Sequence, residues 1–130
     1  MNQKKSSKKE SFLKFSLKKE ILRAITDLGF NSPTPIQNKV IPHLMSSNQD
    51  LIASAQTGTG KTAAFGLPIL NAIDTTNSQV QTLILCPTRE LCIQIAKDLS
   101  SYSKYLKSIN ILAVYGGVKI DKHFRSLKKK

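Results

Sequence analysis

An α/β fold, a parallel sheet with flanking helices, is predicted by two observations in this 130-residue sequence. Short apolar runs of strand length alternate with longer stretches whose apolar residues recur at helical spacing. One of the strand-to-helix junctions, residues 55–62, carries glycines and a lysine in the arrangement of a phosphate cradle. Strands joined through helices pair in parallel, and parallel sheets are covered on both faces.

The elements follow in chain order. Residues 1–11 are lysine and serine with almost nothing apolar, so a disordered basic arm is expected there, and the fold is expected over 12–130. Leu17, Ile21, Leu22, Ile25 and Leu28 recur at helical spacing, with Ser16 as the N-cap and Gly29 as the left-handed stop. Thr34-Pro35 opens a second helix with Ile36, Val40, Ile41 and Leu44 on one face, which Pro42 should kink or end. Residues 51–55 read as a buried strand, and 61–73 as a helix interrupted by Gly66 and Pro68. Residues 80–86 form a second strand, 90–106 a long amphipathic helix and 109–115 a third strand. A further helix begins at Ile120. No internal repeat or Pro- or Ser-rich linker divides the chain.

Composition narrows the class. With 40% apolar residues the chain can build an ordinary globular core. Its apolar runs are too short to span a bilayer and no secretory leader pattern appears, so a cytoplasmic location without membrane contact is expected. The formal net charge of +12 sits at the ends. Residues 1–23 hold eight basic and two acidic side chains, and 119–130 six basic and one acidic. Basic ends on a near-neutral body suit a phosphate polymer but do not by themselves identify one. Cys86 and Cys92 lack metal-knuckle spacing and read as buried, reduced thiols. His43 and His123 stand apart from any acid, thiol or nucleophile pattern and are given no chemistry.

Chemistry concentrates in Ala55-Gln56-Thr57-Gly58-Thr59-Gly60-Lys61-Thr62. Glycines let backbone N–H groups curl around phosphate oxygens, and the helix N-terminus adds partial positive charge. Lys61 can reach the outer phosphates and Thr62 can offer its hydroxyl to Mg²⁺. The competing account is a plain glycine turn. A phosphate cradle signals a nucleotide and no more, so function must come from its surroundings.

Those surroundings resemble a known family. Gly29-Phe30-Asn31-Ser32-Pro33-Thr34-Pro35-Ile36-Gln37 is similar to the Q motif of DEAD-box ATP-dependent RNA helicases, and Phe12 lies 17 residues ahead of Gly29, where that family keeps an isolated aromatic. The phosphate cradle resembles the family's P-loop, including its alanine. Pro87-Thr88-Arg89-Glu90-Leu91 looks like motif Ia, and Gly116-Gly117 like the glycine doublet. The blocks stand in the family's order across 12–130.

The resemblance implies a RecA-like P-loop domain that binds ATP with Mg²⁺ and remodels or unwinds RNA. Lys61 and Thr62 would serve the phosphates and metal, while Phe12 and Gln37 would face adenine. An amide that both donates and accepts matches the N6 and N7 edge of adenine, and a ring can stack on its face. Pro87, Thr88, Arg89, Gly116 and Gly117 would touch the RNA backbone with little regard to base sequence. Taken alone, Gln37 reads as an exposed helix glutamine and Phe12 as a staple on the first helix. Arg89 could merely pair with Glu90, and Gly116-Gly117 could be only a turn.

No Asp-Glu-Ala-Asp block, which would hold Mg²⁺ and orient water in this family, occurs in the sequence. The expectation is therefore an incomplete first helicase domain, inactive alone and exposing apolar strand edges. The alternative is a remnant that binds nucleotide or RNA without turnover.

Overall fold

The computed structural model describes residues 11–128. The expected basic arm falls outside these residues except for Ser11, whose hydroxyl accepts from the Leu13 N–H (3.2 Å) and caps a single 3₁₀ turn, Phe12–Phe15. Ser16 closes that turn at φ 54° instead of capping the next helix, which corrects the expected start. Helix α1 is Lys19–Asp27, with Lys18 as its N-cap and no side-chain cap. Lys18 is held from another quarter. Its N–H donates to Asn71 Oδ1 (2.7 Å) and its ammonium to the Ile73 carbonyl (2.8 Å). The Gly29 stop is as expected: Gly29 N–H returns to Thr26 O and Phe30 N–H to Ile25 O, both at 2.9 Å, with Gly29 left-handed.

Helix α2, Pro35–Ser46, begins at the proline and runs through Pro42 without ending there. Pro42 removes one intrahelical donor, but Val40 and Ile41, the two residues before it, are buried, and their packing outweighs the local preference. Helix α3, Lys61–Ala72, likewise continues through Gly66 and Pro68. Gly66 has a packing reason: a Cβ there would lie 2.6 Å from Leu99 Cδ2, so its absence lets α3 approach α4, Arg89–Tyr102. Helix α5 is Ile120–Lys128.

The core lies among the 3₁₀ turn and α1 to α4. Phe12, Phe15, Leu17, Ile21, Ile25, Ile41, Leu67, Leu70, Leu99 and Tyr102 form one buried cluster. Fully burying each of Ile21, Ile25, Ile41 and Leu67 stabilises by about 1.5–3 kcal/mol. Burial also pushes the Tyr102 hydroxyl up to about 12. Across the α1–α4 seam, Tyr105 Oη donates to Asp27 Oδ2, and the Arg23 guanidinium lies 4.1 Å from the centre of the Tyr105 ring. No described helix is long and apolar enough to cross a membrane.

The expected strands differ from the structure. Segments 51–55, 80–86 and 109–115 are not paired, and among the described residues there is no strand and hence no sheet. A helix closes its hydrogen bonds within itself, whereas a strand exists only where another backbone lies about 4.7–4.9 Å away. β-Branched and apolar composition supplies the preference but not the neighbour. Ile52 is fully exposed and Leu85 is 85% exposed, so these side chains lack cover as the backbones lack partners.

Candidate functional site

The loop at 55–62 leads from an unpaired segment into α3. Gly58 and Gly60 hold φ of 76° and 84°, in the left-handed region that glycine enters without a Cβ penalty. Gly60 is the N-cap of α3 and contributes no side chain to cap it. The first N–H groups of a helix lack intrahelical acceptors, so this end presents donors and partial positive charge to an anion. Thr59 Oγ1 donates to Gln56 O (2.7 Å), which stiffens the turn. The Lys61 ammonium donates to the Ala55 carbonyl, folding over its own loop. Thr62 is half-buried one residue into the helix, and Gln56, Thr57 and Gly58 are exposed.

Gln37 is the residue that sequence reasoning placed least well as a local feature. It is 3% exposed, not a surface glutamine. Thr34 N–H donates to Gln37 Oε1 (2.9 Å) and Gln37 N–H reaches Thr34 Oγ1 (3.5 Å), a reciprocal capping box at the start of α2. The same side chain extends to the loop, where Gln37 Nε2 donates to Gly60 O (3.2 Å). A Cβ on Gly60 would fall 2.3 Å from Gln37 Nε2, so the amide occupies the space that only glycine leaves open. The Thr34-x-x-Gln37 spacing carried the capping box in the sequence; the reach to Gly60 had no sequence signal.

Phe12 is 4% exposed. Its ring meets Phe15 edge-on at 6.0 Å and Phe30 at a tilt at 5.9 Å, and Phe30 continues to Tyr102 at 5.8 Å. A purine stacking on Phe12 would have to displace one of these neighbours.

The second group of residues forms at the start of α4. Thr88 is its N-cap, accepting from Leu91 N–H (3.2 Å), and Pro87, Thr88 and Arg89 are exposed. Arg89 Nε lies 3.5 Å from Glu90 Oε1, a pair open to solvent and therefore weak. Arg89 Nη1 lies 3.3 Å from the position of a Cβ on Gly117, so the structure brings Arg89 and the exposed Gly116-Gly117 turn together. Cys92 Sγ, pointing at the Val114 carbonyl at 3.6 Å, ties the same two segments. Both cysteines are half-buried, less enclosed than expected. Among the described residues no group of three His, Cys, Asp or Glu side chains could hold a metal ion.

Comparison with known proteins gives the family of the chain. The profile of the DEAD/DEAH box helicases matches residues 34–130. The chain is 51% identical over 118 residues to the ATP-dependent RNA helicase CshA of Listeria monocytogenes, covering 91% of this chain and 22% of that protein. It superposes with a TM-score of 0.85 and 40% identity on a DEAD box protein from Methanococcus jannaschii, covering 91% of this chain and 32% of that one. With S. cerevisiae Dbp5 bound to RNA and ADP BeF3 the TM-score is 0.74 at 27% identity, covering 91% of this chain and 35% of that one. The chain spans about a fifth of the length of the curated relatives it matches.

Proposed function

The chain belongs to the DEAD/DEAH box helicase family, and from that premise we propose that it binds ATP through residues 55–62 and RNA through the Arg89 and Gly116-Gly117 surface. In this proposal the chain contributes to ATP-driven remodelling or unwinding of RNA, as part of a RecA-like domain. The observation that carries the nucleotide half is the uncapped N-terminus of α3, preceded by the left-handed Gly58 and Gly60 and followed by Lys61.

Each residue has a physical task. Backbone N–H groups of 58–62 hold phosphate oxygens. The Lys61 ammonium leaves the Ala55 carbonyl for the outer phosphates, exchanging a neutral acceptor for an anionic one. Thr62 and a phosphate would hold Mg²⁺, which neutralises charge on the transferring group. Gln37 retains one amide hydrogen and one carbonyl lone pair beyond its two bonds, the complement of adenine N7 and N6. Phe12 would take part in base stacking only by opening from Phe15 or Phe30. Thr88, Arg89 and the glycine turn offer a cation and backbone groups to a phosphate-sugar strand, which supports contact without base readout. The relatives named for ATP and RNA, and the neighbour carrying RNA and a nucleotide, support the same assignment.

The test is Lys61→Ala in this chain, read by titration of a fluorescent ATP analogue with Mg²⁺. Binding should fall at least tenfold, because one charge-assisted contact of about 1.5–3 kcal/mol is removed. Unchanged affinity would contradict the assignment of 55–62 as the phosphate site.

A further inference from the structure

Helices α1 and α4 bury their apolar residues in the core, with Ile21, Ala24 and Ile25 on one and Leu99 and Tyr102 on the other. Outside that contact the seam between them stays open. A groove of about 420 Å³ runs there, lined by Ala24, Asp27 and Leu28 from the α1 side and by Lys97, Ser100, Ser101 and Lys104 from the α4 side. Leu28 is 47% exposed in it. None of these residues belongs to the 55–62 loop or to the Arg89 and Gly116-Gly117 surface.

The charges around the groove do not balance. Its carboxylate is already engaged, because Tyr105 Oη donates to Asp27 Oδ2 and the Lys104 ammonium lies 3.5 Å from the same oxygen. The Arg23 guanidinium and the Lys104 ammonium both approach the Tyr105 ring, at 4.1 and 5.0 Å from its centre. Lys97 is exposed and makes no ion pair among the described residues. Asp98, the next residue, does not line the groove and accepts from Gln94 Nε2 (2.8 Å). The cations Arg23, Lys97 and Lys104 therefore outweigh Asp27, and an anion entering the groove meets a positive field.

The neutral groups add a second constraint. Ser100 Oγ donates to Ala96 O (2.7 Å) and Ser101 Oγ to Lys97 O (3.1 Å), so the proton of each hydroxyl is held by its own helix. What these serines present is lone pairs, which accept from N–H groups and do not serve phosphate oxygens. A phosphate-sugar backbone offers mostly acceptors and fits this wall poorly. A peptide carries carboxylates, main-chain N–H groups and an apolar side chain, and so matches the lysines, the serines and Leu28 in turn.

We infer that the α1–α4 groove is a docking site for an acidic peptide segment of a partner protein. Its carboxylates meet Lys97 and Lys104, its main-chain N–H groups donate to Ser100 and Ser101, and an apolar side chain covers Leu28. The Lys104 ammonium has three donors and serves the peptide without releasing Asp27. Exposed cations around a small apolar centre make a contact that salt weakens and charge complementarity selects. It uses no residue of the nucleotide or RNA surfaces and stands independently of the function proposed above.

The experiment follows a short fluorescein-labelled peptide of glutamate and leucine by anisotropy as the 130-residue chain is added. The peptide should bind, and less tightly as sodium chloride is raised. The same peptide with glutamine for glutamate, or with serine for leucine, should bind about tenfold more weakly. Lys97→Glu reverses an exposed charge and should weaken the original peptide about tenfold, with the circular dichroism spectrum unchanged. Lys39→Glu makes the same charge change at an exposed position of α2 and should leave the peptide's affinity in place. In a ¹⁵N spectrum the amides of Leu28, Lys97, Ser100, Ser101 and Lys104 should shift as peptide is added. No binding, equal losses in the two lysine variants, equal binding by the altered peptides, or shifts confined to other residues would overturn the inference. A labelled single-stranded RNA reads the other occupant. Its affinity should be unchanged by Lys97→Glu, and a loss as large as the peptide's would assign the groove to RNA and overturn the inference. Failure of the chain to bind RNA at all would contradict the RNA assignment above, while the peptide measurements still decide the groove.

Discussion

Gly60→Ala puts a methyl carbon 2.3 Å from Gln37 Nε2 and 3.4 Å from Thr34 Oγ1, on a backbone held at φ 84°. The left-handed backbone alone costs an L-residue about 1–2 kcal/mol. The amide cannot remain where it is, and when it swings away the Gln37–Gly60 bond is lost. A buried amide without its partner costs about 1–3 kcal/mol more. The total expected is about 2–5 kcal/mol. Gly58 supplies the control, because its φ is 76° but a Cβ there meets nothing within 4 Å. Gly58→Ala should therefore cost only the backbone share, about 1–2 kcal/mol. Urea unfolding followed by circular dichroism measures both, provided that the slope is unchanged. Adding Gln37→Ala to Gly60→Ala should remove the collision, so the double variant loses less stability than the two single losses combined. Equal losses for the two glycine variants, or strict additivity, would refute the contact between α2 and the loop.

Two further outcomes are expected. Gln37→Ala should narrow the preference for ATP over GTP in competition binding, since the two unused hydrogen-bonding positions of its amide complement adenine; equal losses for both nucleotides would leave Gln37 as a structural link alone. The Asp27 carboxyl is held below the ordinary aspartate value, first by the Tyr105 hydroxyl and then by Lys104. Its stabilisation is complete above the unfolded aspartate pKa and is lost as pH falls through the lower folded value. Asp27→Asn should flatten that acid limb of the stability curve, and an unchanged limb would dismiss the Tyr105–Asp27 seam as its source.

Legibility followed where each interaction keeps its partners. The α2 start, the Gly29 stop, the α5 start and the glycine turn into α3 were readable because their signals are local: a proline at the first position, a left-handed glycine, a glycine pattern before a lysine. Ser16 misled because serine caps helices by preference, while Lys18 is held by Asn71 and Ile73, more than fifty residues away. Gly66 and Pro68 looked like interruptions because their compensation is the face of α4 and the buried core. The strand segments had the right composition, but composition contains no record of which backbone lies alongside. Gln37 and Phe12 were named as site residues from a resemblance, and their burial follows from packing that no spacing rule expresses. Arg89 beside Gly117 joins residues that the resemblance grouped and that no local spacing connects.

The central claim, that residues 55–62 bind the phosphates of a nucleotide, is tested most directly by amide resonances in a ¹⁵N spectrum of the chain titrated with ATP and Mg²⁺. The amides of Gly58, Gly60, Lys61 and Thr62 should shift first and saturate together, with Gln37 Nε2 following because it is bonded to Gly60. Adenosine without phosphate should leave the loop amides in place. Shifts confined to other parts of the chain, or loop amides that ignore ATP, would contradict the account.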